Sequence, residues 1–523
     1  MALSIVSSAP GIYIEWVDAN AQNLDIGRTD VAGFLGIAER GPFNVAVKIE
    51  SERQFETVFG AHVKGAVLAF AVEGFFSNGG RRCWVVRVGD TARAQTSMRV
   101  IALPDGSHVM LQASSPGAWG DDVAIEPVWG RDRIVALTAT EGDRVQRIAL
   151  PLPLEVTHTA KSLSGIPFDS LPELSPNPLV IAVGVVASAP PAAALAMAPE
   201  RVYLSGGMDA LASVRAEHFT GNADSTSNEL SGMDALDRID GISFVAAPDL
   251  MLLATHNDAA LDAALGAQLA LLSRCMARRD RIAILDTPLL MLDQALEYRA
   301  RFPDTSFGAL YYPWVCVGDP LGGPGDLRTI PPSGHVAGMY ARTDRLRGVH
   351  KPPANEVLEG VWDLSHPIDA GAHGELNDKH VNAIRALPGR GILVLGARTL
   401  STDRRWWFVN VRRLFAMIEE AIDEQMQWLA FEPNEPSLWR EIDRAVRGLL
   451  ERLYGTGMLD GATSADAYSV QCDETTNPAS AIDEGRVFCE IGIQPPYPAE
   501  FVIVRIGVTR SGIQVEEKGA QDG

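Results

Sequence analysis

The sequence predicts a multidomain α/β protein: an α/β layer domain, an α+β C-terminal domain, an inserted β-rich domain, and extended strand arms at the N- and C-termini. Three observations carry this. Between residues 201 and 400, apolar runs of strand length alternate with helical stretches, the pattern of a parallel sheet covered by helices. Between about 91 and 200, short β-like runs are separated by Gly, Asp and Pro turns instead. Two strand-like stretches, 11–17 and 498–506, stand almost at the opposite ends of the chain, and strand edges must pair with something.

Residues 1–30 read as an arm and tether. Ile12, Ile14 and Trp16 alternate onto one face with Tyr13 between them, and 20–29 is polar and unpatterned. Residues 31–90 open the core. A buried strand at 31–38 is ended by Arg40-Gly41-Pro42; a helix at 51–59 starts on a capping serine; a second helix at 67–76 stops at Asn78-Gly79-Gly80; a strand follows at 83–88. In the inserted domain, 91–200, strands are predicted at 99–103, 108–112 and 133–138. The Ala- and Pro-rich tail at 187–199 reads as a loop or linker.

The α/β domain, 201–400, has strands predicted at 242–248, 281–286 and 306–314, and helices at 257–276 and 289–301. The C-terminal domain, 401–500, carries two helical stripes. Val411, Leu414, Phe415, Ile418, Ile422, Met426 and Leu429 form the first; Leu438, Ile442, Val446, Leu449, Leu450 and Leu453 form the second, begun near Pro436 and ended at Gly455. In the arm, 501–523, Val502, Val504, Ile506 and Val508 share one face.

A formal charge of −21 over 523 residues argues against a nucleic-acid surface, which needs a basic footprint. Five cysteines (Cys83, Cys275, Cys316, Cys472, Cys489) show no metal-ligand spacing, which fits synthesis in a reducing cytoplasm. No secretory pattern opens the chain and no apolar run approaches about 18 residues, so membrane insertion is not expected.

Catalysis finds little support. Asp286 ends a strand, where α/β enzymes place reactive groups, but a lone Asp there more often caps the next turn. His366, His373 and His380 recur every seven residues near Asp369, yet Pro367 and two glycines make the segment a loop rather than a metal-binding helix face. Gly206-Gly207 and Gly322-Gly323-Pro324-Gly325 extend to no phosphate-binding pattern, so no cofactor is expected. Cys472 stands beside Asp473 and Glu474, whose charge disfavours a thiolate. Pro332-Ser333-Gly334-His335-Val336-Ala337-Gly338 is similar to the nucleophile stretch of subtilisin-type proteases. The nucleophile's place, however, falls on Ile330, which cannot attack a carbonyl. That similarity implies a subtilisin-like but non-catalytic layer domain.

Motifs spread along most of the chain resemble one family. They include Pro10-Gly11-Ile12-Tyr13-Ile14-Glu15, Val31-Ala32-Gly33-Phe34-Leu35-Gly36, Gly74-Phe75-Phe76-Ser77-Asn78-Gly79-Gly80 and Ala309-Leu310-Tyr311-Tyr312-Pro313-Trp314. Lys351-Pro352-Pro353-Ala354-Asn355, Gly396-Ala397-Arg398-Thr399 and Arg404-Arg405-Trp406-Trp407-Phe408-Val409-Asn410-Val411-Arg412-Arg413 follow in order. The chain resembles the sheath proteins of contractile phage tails and bacterial contractile injection systems. Leu395 stands where the family usually has tryptophan, and 91–200 shows no matching motif.

The resemblance implies a structural subunit and not an enzyme. It would polymerise as stacked hexameric rings around an inner tube and contract from a metastable extended state to drive the tube through a target envelope. The arms, through Ile12, Tyr13, Ile14, Trp16, Val502, Val504, Ile506 and Val508, would add strands to neighbouring subunits' sheets. Arg412, Arg440 and Arg444, expected at exposed helix positions, are the candidates for contact with the inner tube; the other reading leaves them solvated or pairs them with Glu419 and Glu441. Implied partners are further copies of the chain, the tube protein, and the baseplate and tail-terminator or cap proteins. The particle would be assembled in the cytoplasm and released. The alternatives are a degenerate subtilisin-like hydrolase and a non-contractile homo-oligomeric scaffold.

Overall fold

A computed structural model describes residues 26–102, 108–129, 134–149, 179–186, 195–196, 201–221, 232–254, 257–427, 432–500, 504–509 and 512–517. They form two compact units: one from 27–420 with the chain from 495 onward, the other from 421–494.

The larger unit is built on one sheet of nine strands. These are β1 (Val31–Gly36), β2 (Ala46–Ile49), β3 (Arg82–Arg87), β4 (Phe244–Ala246), β5 (Ile282–Asp286), β6 (Gly308–Tyr312), β7 (Glu356–Val357), β8 (Val381–Leu387) and β9 (Gly391–Val394). Their order is β7-β9-β8-β6-β5-β4-β1-β3-β2. The interior is parallel, from β8 through β6, β5, β4 and β1 to β3. Both rims are antiparallel, with β2 on β3 at one side and β9 and β7 beyond β8 at the other.

A parallel interior must be covered on both faces, and the alternation of side chains divides it accordingly. Val31, Leu35, Ala283, Leu285, Leu310 and Tyr312 enter one apolar cluster; Ala32, Phe34, Ile282, Ile284, Ala309 and Tyr311 enter the other. The first is closed by α3 (Asp258–Arg278) and α4 (Leu292–Arg299), through residues such as Leu271, Leu272 and Tyr298. The second is closed by α1 (Glu52–Phe59), α2 (Leu68–Ser77) and α5 (Ser333–Arg347), through Phe59, Phe75 and Met339 among others. Ser51 caps α1 as the sequence predicts, accepting from Gln54 N at 3.2 Å, and Asn257 caps α3, accepting from Ala260 N at 2.9 Å. The N-cap of α2, Val67, has no side-chain oxygen. Asp249 supplies one from beyond β4, accepting Val67 N at 2.6 Å and Ile37 N at 2.7 Å.

The protease-like stretch is a packing device. Gly334 and Gly338, one turn apart on α5, bring that helix against α2. A Cβ on Gly334 would lie 2.3 Å from the Ala71 carbonyl oxygen, and one on Gly338 would lie 2.4 Å from that of Phe75. His335 between them is buried against Gly74, and burial pushes its imidazole down to about 4, so it is neutral at physiological pH.

The inserted region holds two four-stranded sheets around a core of its own. One joins Met98–Ala102, His108–Ala113, Val180–Val186 and Leu195–Ala196; the other joins Ala124–Trp129, Ile134–Glu141, Arg144–Ala149 and Val202–Tyr203. Buried Arg87, the last residue of β3, ties it to the sheet. Its guanidinium donates to the carbonyls of Ala38, Glu39, Gly41 and Pro116 at 2.9–3.0 Å and lies 4.0 Å from the Phe43 ring.

Two expectations are corrected. Residues 370–378 form a helix, α6 (Ala370–Asp378), and not a loop. Asp369 caps it, accepting Ala372 N at 2.8 Å, and Leu376 buries it, so one cap and one anchor override Gly371 and Gly374. Within 187–199, Leu195–Ala196 is a short strand parallel to Ile101–Ala102; the rest of that stretch lies outside the described residues.

Helix α7 (Val409–Gln425) begins in the larger unit. In the smaller unit α8 (Pro436–Gly455) has the predicted limits, with all six stripe residues buried, and beside it lies a two-stranded sheet of Tyr468–Gln471 and Glu490–Ile493.

Candidate functional site: two anchored chain ends and an open-edged sheet

The motif-rich stretch from 396 to 413 holds both ends of the larger unit. It is first fixed to the sheet. Asn382 of β8 accepts Arg398 N at 2.7 Å and donates to the carbonyls of Arg398 at 2.8 Å and Leu310 at 3.2 Å. Val409 N donates back to the Ala397 carbonyl at 2.9 Å. Gly396 is needed there, because a Cβ would lie 2.7 Å from Asn382 Oδ1.

At the N-terminal end, Arg413 reaches from α7 into the core. It donates to the Thr29 carbonyl at 2.8 Å and to Asp344 Oδ1 at 2.9 Å, with a second bond to Asp344 Oδ2. Its guanidinium lies 5.2 Å from both the Phe244 and Tyr340 rings, and Tyr340 shares a 2.6 Å hydroxyl bond with Tyr311. The Arg413 and Asp344 side chains are 3% and 2% exposed, so this is a fully desolvated, forked ion pair. At the C-terminal end, buried Asn410 donates to the Pro496 carbonyl at 3.0 Å and to the His350 carbonyl at 2.8 Å. Arg398 forks onto Glu500, donating to Oε1 at 2.9 Å and also to Oε2, and its guanidinium lies 4.8 Å from the Trp407 ring.

Of the expected arm residues, Ile12, Tyr13, Ile14, Trp16 and Val502 lie outside the described residues. Val504, Ile506 and Val508 fall in the strand Val504–Thr509, which pairs antiparallel with a further strand, Gly512–Glu517. In the smaller unit, Tyr468–Gln471 and Glu490–Ile493 pair only with each other among the described residues. Each therefore turns half of its peptide groups outward.

The three arginines separate. Arg412 is not at an exposed position, which corrects the expectation. It is buried, donates to Glu419 at 2.9 Å, and lies 4.6, 4.9 and 5.9 Å from the rings of Phe307, Trp406 and Phe415. Burial lowers its pKa. Arg440 and Arg444 are exposed on α8 and line a groove with Asp443, Arg447, Val470 and Gln471. The sequence missed Arg413, Asn410 and Arg398 as anchors. The available signal was polar residues embedded in an aromatic-rich run.

Among the described residues, the groups considered for chemistry are engaged in packing or hydrogen bonds. Ile330 is buried and pairs with Val315. His366 stacks on Tyr312, His373 meets the Leu395 carbonyl at 3.0 Å, and His380 meets that of Thr399 at 3.1 Å. Among the described residues no group of three or more His, Cys, Asp or Glu could hold a metal ion, and no helix is long and apolar enough to cross a membrane.

Asp286 is fully buried and accepts Ser333 N at 2.9 Å. Burial pushes its carboxyl up to about 7, against the pull of Ser333. A raised folded pKa means that the protonated acid favours folding. Its contribution is complete below about pH 4 and is lost as pH rises through about 7. Asp286→Asn, which cannot ionise, is expected to leave the melting temperature unchanged near pH 4 and to raise it at pH 8, by up to about 4 kcal/mol of stability. Thermal melting between those pH values reads this directly.

A model of the phage tail sheath protein central domain matches residues 228–400, and one of the phage tail sheath C-terminal domain matches 401–509. A protein of Pseudomonas aeruginosa (strain UCBPP-PA14), described as a prophage major tail sheath protein, is 27% identical over 292 residues, covering 54% of this chain and 71% of that one. The tail sheath protein of Salmonella phage ViI is 26% identical over 200 residues, 36% of this chain and 30% of its own. The chain thus matches under a third of that phage protein's length.

The fold is shared with the helical sheath of the anti-feeding prophage in its contracted state. The TM-score is 0.58 at 22% identity, covering 97% of this chain and all of the other. A sheath tail protein of Listeria innocua gives a TM-score of 0.57 at 12% identity, over 91% and 97% of the two chains. With two domain models of one family running without a gap through 228–509, more than half its length, the chain belongs to the phage tail sheath family.

Proposed function

We propose that the chain is the structural subunit of a contractile tail sheath. It polymerises as stacked hexameric rings around an inner tube and contracts from a metastable extended state to drive the tube through a target envelope. The observation that carries this reading is the anchoring of both chain ends by one stretch, with Thr29 on Arg413 and Pro496 and Glu500 on Asn410 and Arg398. Arms fixed so firmly at their roots can bear load when their strands are added to another subunit. The Glu490–Ile493 edge of the two-stranded sheet can receive them, since on the other edge the Val470 carbonyl already accepts from Arg447, and main-chain hydrogen bonds along an edge supply both affinity and register.

In this reading Ile12, Tyr13, Ile14, Trp16, Val502, Val504, Ile506 and Val508 pair between subunits, while Arg440 and Arg444 face the inner tube. The nine-stranded domain is a subtilisin-like layer without a nucleophile. Further partners are the baseplate and tail-terminator or cap proteins, on particles assembled in the bacterial cytoplasm. No fuel site is required, because the free energy of contraction is stored at assembly.

Electron microscopy of the protein expressed alone tests this. Hollow helical tubes with six-fold end views are expected, and they should be lost when residues 1–20 or 500–523 are deleted. A monodisperse monomer at high concentration would sink the proposal. Arg440→Glu with Arg444→Glu is expected to preserve such tubes while abolishing co-sedimentation with the inner tube protein.

A further inference from the structure

The strands Tyr468–Gln471 and Glu490–Ile493 run antiparallel with Gln471 opposite Glu490. The next residue on each is a cysteine, so the register brings Cys472 and Cys489 opposite each other at the end of the sheet. Directly opposed residues of an antiparallel pair have Cα atoms roughly 4.5–5.5 Å apart, inside the range of about 4.4–6.8 Å that a disulfide spans. The loop between them is already drawn shut. Asn477 accepts Phe488 N at 2.6 Å and donates to the Phe488 carbonyl at 2.9 Å, fixing the residue just before Cys489. Cys472 is buried and Cys489 half-buried, which gives a reagent one entrance.

We propose that Cys472 and Cys489 are a redox pair that closes to a cross-strand disulfide in oxidising surroundings, stapling the two-stranded sheet. The oxidant is a small disulfide such as oxidised glutathione. The Cys489 thiolate attacks one of its sulfurs; that S–S bond breaks and one thiolate leaves, taking a proton. The Cys472 thiolate then attacks the Cys489 sulfur of the mixed disulfide, releasing the second small thiol. Two protein thiols and one small disulfide become one protein disulfide and two small thiols. Burial raises both thiols, that of Cys489 to about 12, with Asp443 raising both further and Arg447 opposing it at Cys489. Thiolate is therefore scarce near neutrality and closure is slow there. A reducing cytoplasm keeps the pair open during assembly, and the staple sets afterwards.

The chemistry can be tested apart from the sheath reading, because it needs no assembly. The full-length protein, without denaturant, is incubated with oxidised glutathione at pH 8, and its peptides are mapped without reduction. The expected result is one Cys472–Cys489 linkage, with titratable thiols falling from five to three. Cys472→Ser and Cys489→Ser should each retain the remaining four thiols or carry only a glutathione adduct. Hydrogen exchange across 468–471 and 490–493 should slow at least tenfold in the oxidised wild type alone. Five thiols persisting after prolonged oxidation would overturn the proposal. So would an equal thiol loss in Cys472→Ser, or a linkage that leaves exchange unchanged.

Discussion

Replacing Arg413 with alanine is expected to destabilise the subunit by about 3–5 kcal/mol, the usual result of removing one partner of a buried ion pair. Asp344 would remain 2% exposed with no cation to balance it, and the Thr29 carbonyl would lose its donor. Arg413→Lys keeps the charge but not the planar fork that engages both Asp344 oxygens. It should therefore fall between alanine and wild type. Pairing Arg413→Met with Asp344→Leu removes both charges and is expected to recover most of the lost stability. It would not restore the hold on Thr29. Thermal melting reads the first effect, and limited proteolysis at residues 26–30 reads the second. Equal melting temperatures for wild type and Arg413→Ala would refute the role given to this pair.

Gly338→Ala is expected to cost about 3 kcal/mol or more, although alanine is the better helix former by about 1 kcal/mol. The added Cβ would meet backbone, the Phe75 oxygen at 2.4 Å and its Cα at 2.9 Å, neither of which can rotate aside. Helices α2 and α5 would have to separate, opening the cluster around Phe75 and Met339. Gly266→Ala, on an exposed face of α3 with nothing within 4 Å of the new Cβ, is the matched control. It should stabilise by up to about 1 kcal/mol. Opposite signs for one chemical change, measured by denaturant midpoint, would separate close packing from helix propensity. Two shifts of the same sign would show that the α2–α5 approach is not the limiting contact.

What the sequence disclosed and what it withheld divide along a physical line. Periodic signals were legible: the strands β1, β3, β4, β5 and β6, the limits of α8 at Pro436 and Gly455, and the cap Ser51 follow from local spacing, whereas β2, β7, β8 and β9 did not stand out. α6 was not legible, because Ala370–Asp378 has one buried apolar residue and no stripe. Arg412 was misread for a related reason. Helical periodicity places it off the apolar stripe, but Phe307, more than a hundred residues away, supplies a ring that covers it. The meeting of Cys472 and Cys489 depends on strand register, which neither cysteine's neighbours encode. The resemblance pointed to the arms, whereas their anchors became visible only when Arg398, Asn410 and Arg413 acquired partners.

Those anchors have a mechanical consequence. Thr29, Pro496 and Glu500 are gripped from a single ribbon of chain between Arg398 and Arg413. A pull arriving through either terminus meets its counter-pull inside that ribbon, in series through Asn410 and its neighbours. The nine-stranded sheet takes its share of that load, through Asn382 of β8, which holds Arg398, and through β1, which begins two residues after Thr29. If the chain is the sheath subunit proposed above, the contacts of Arg413, Asn410 and Arg398 are where a pull from a neighbour would first be felt.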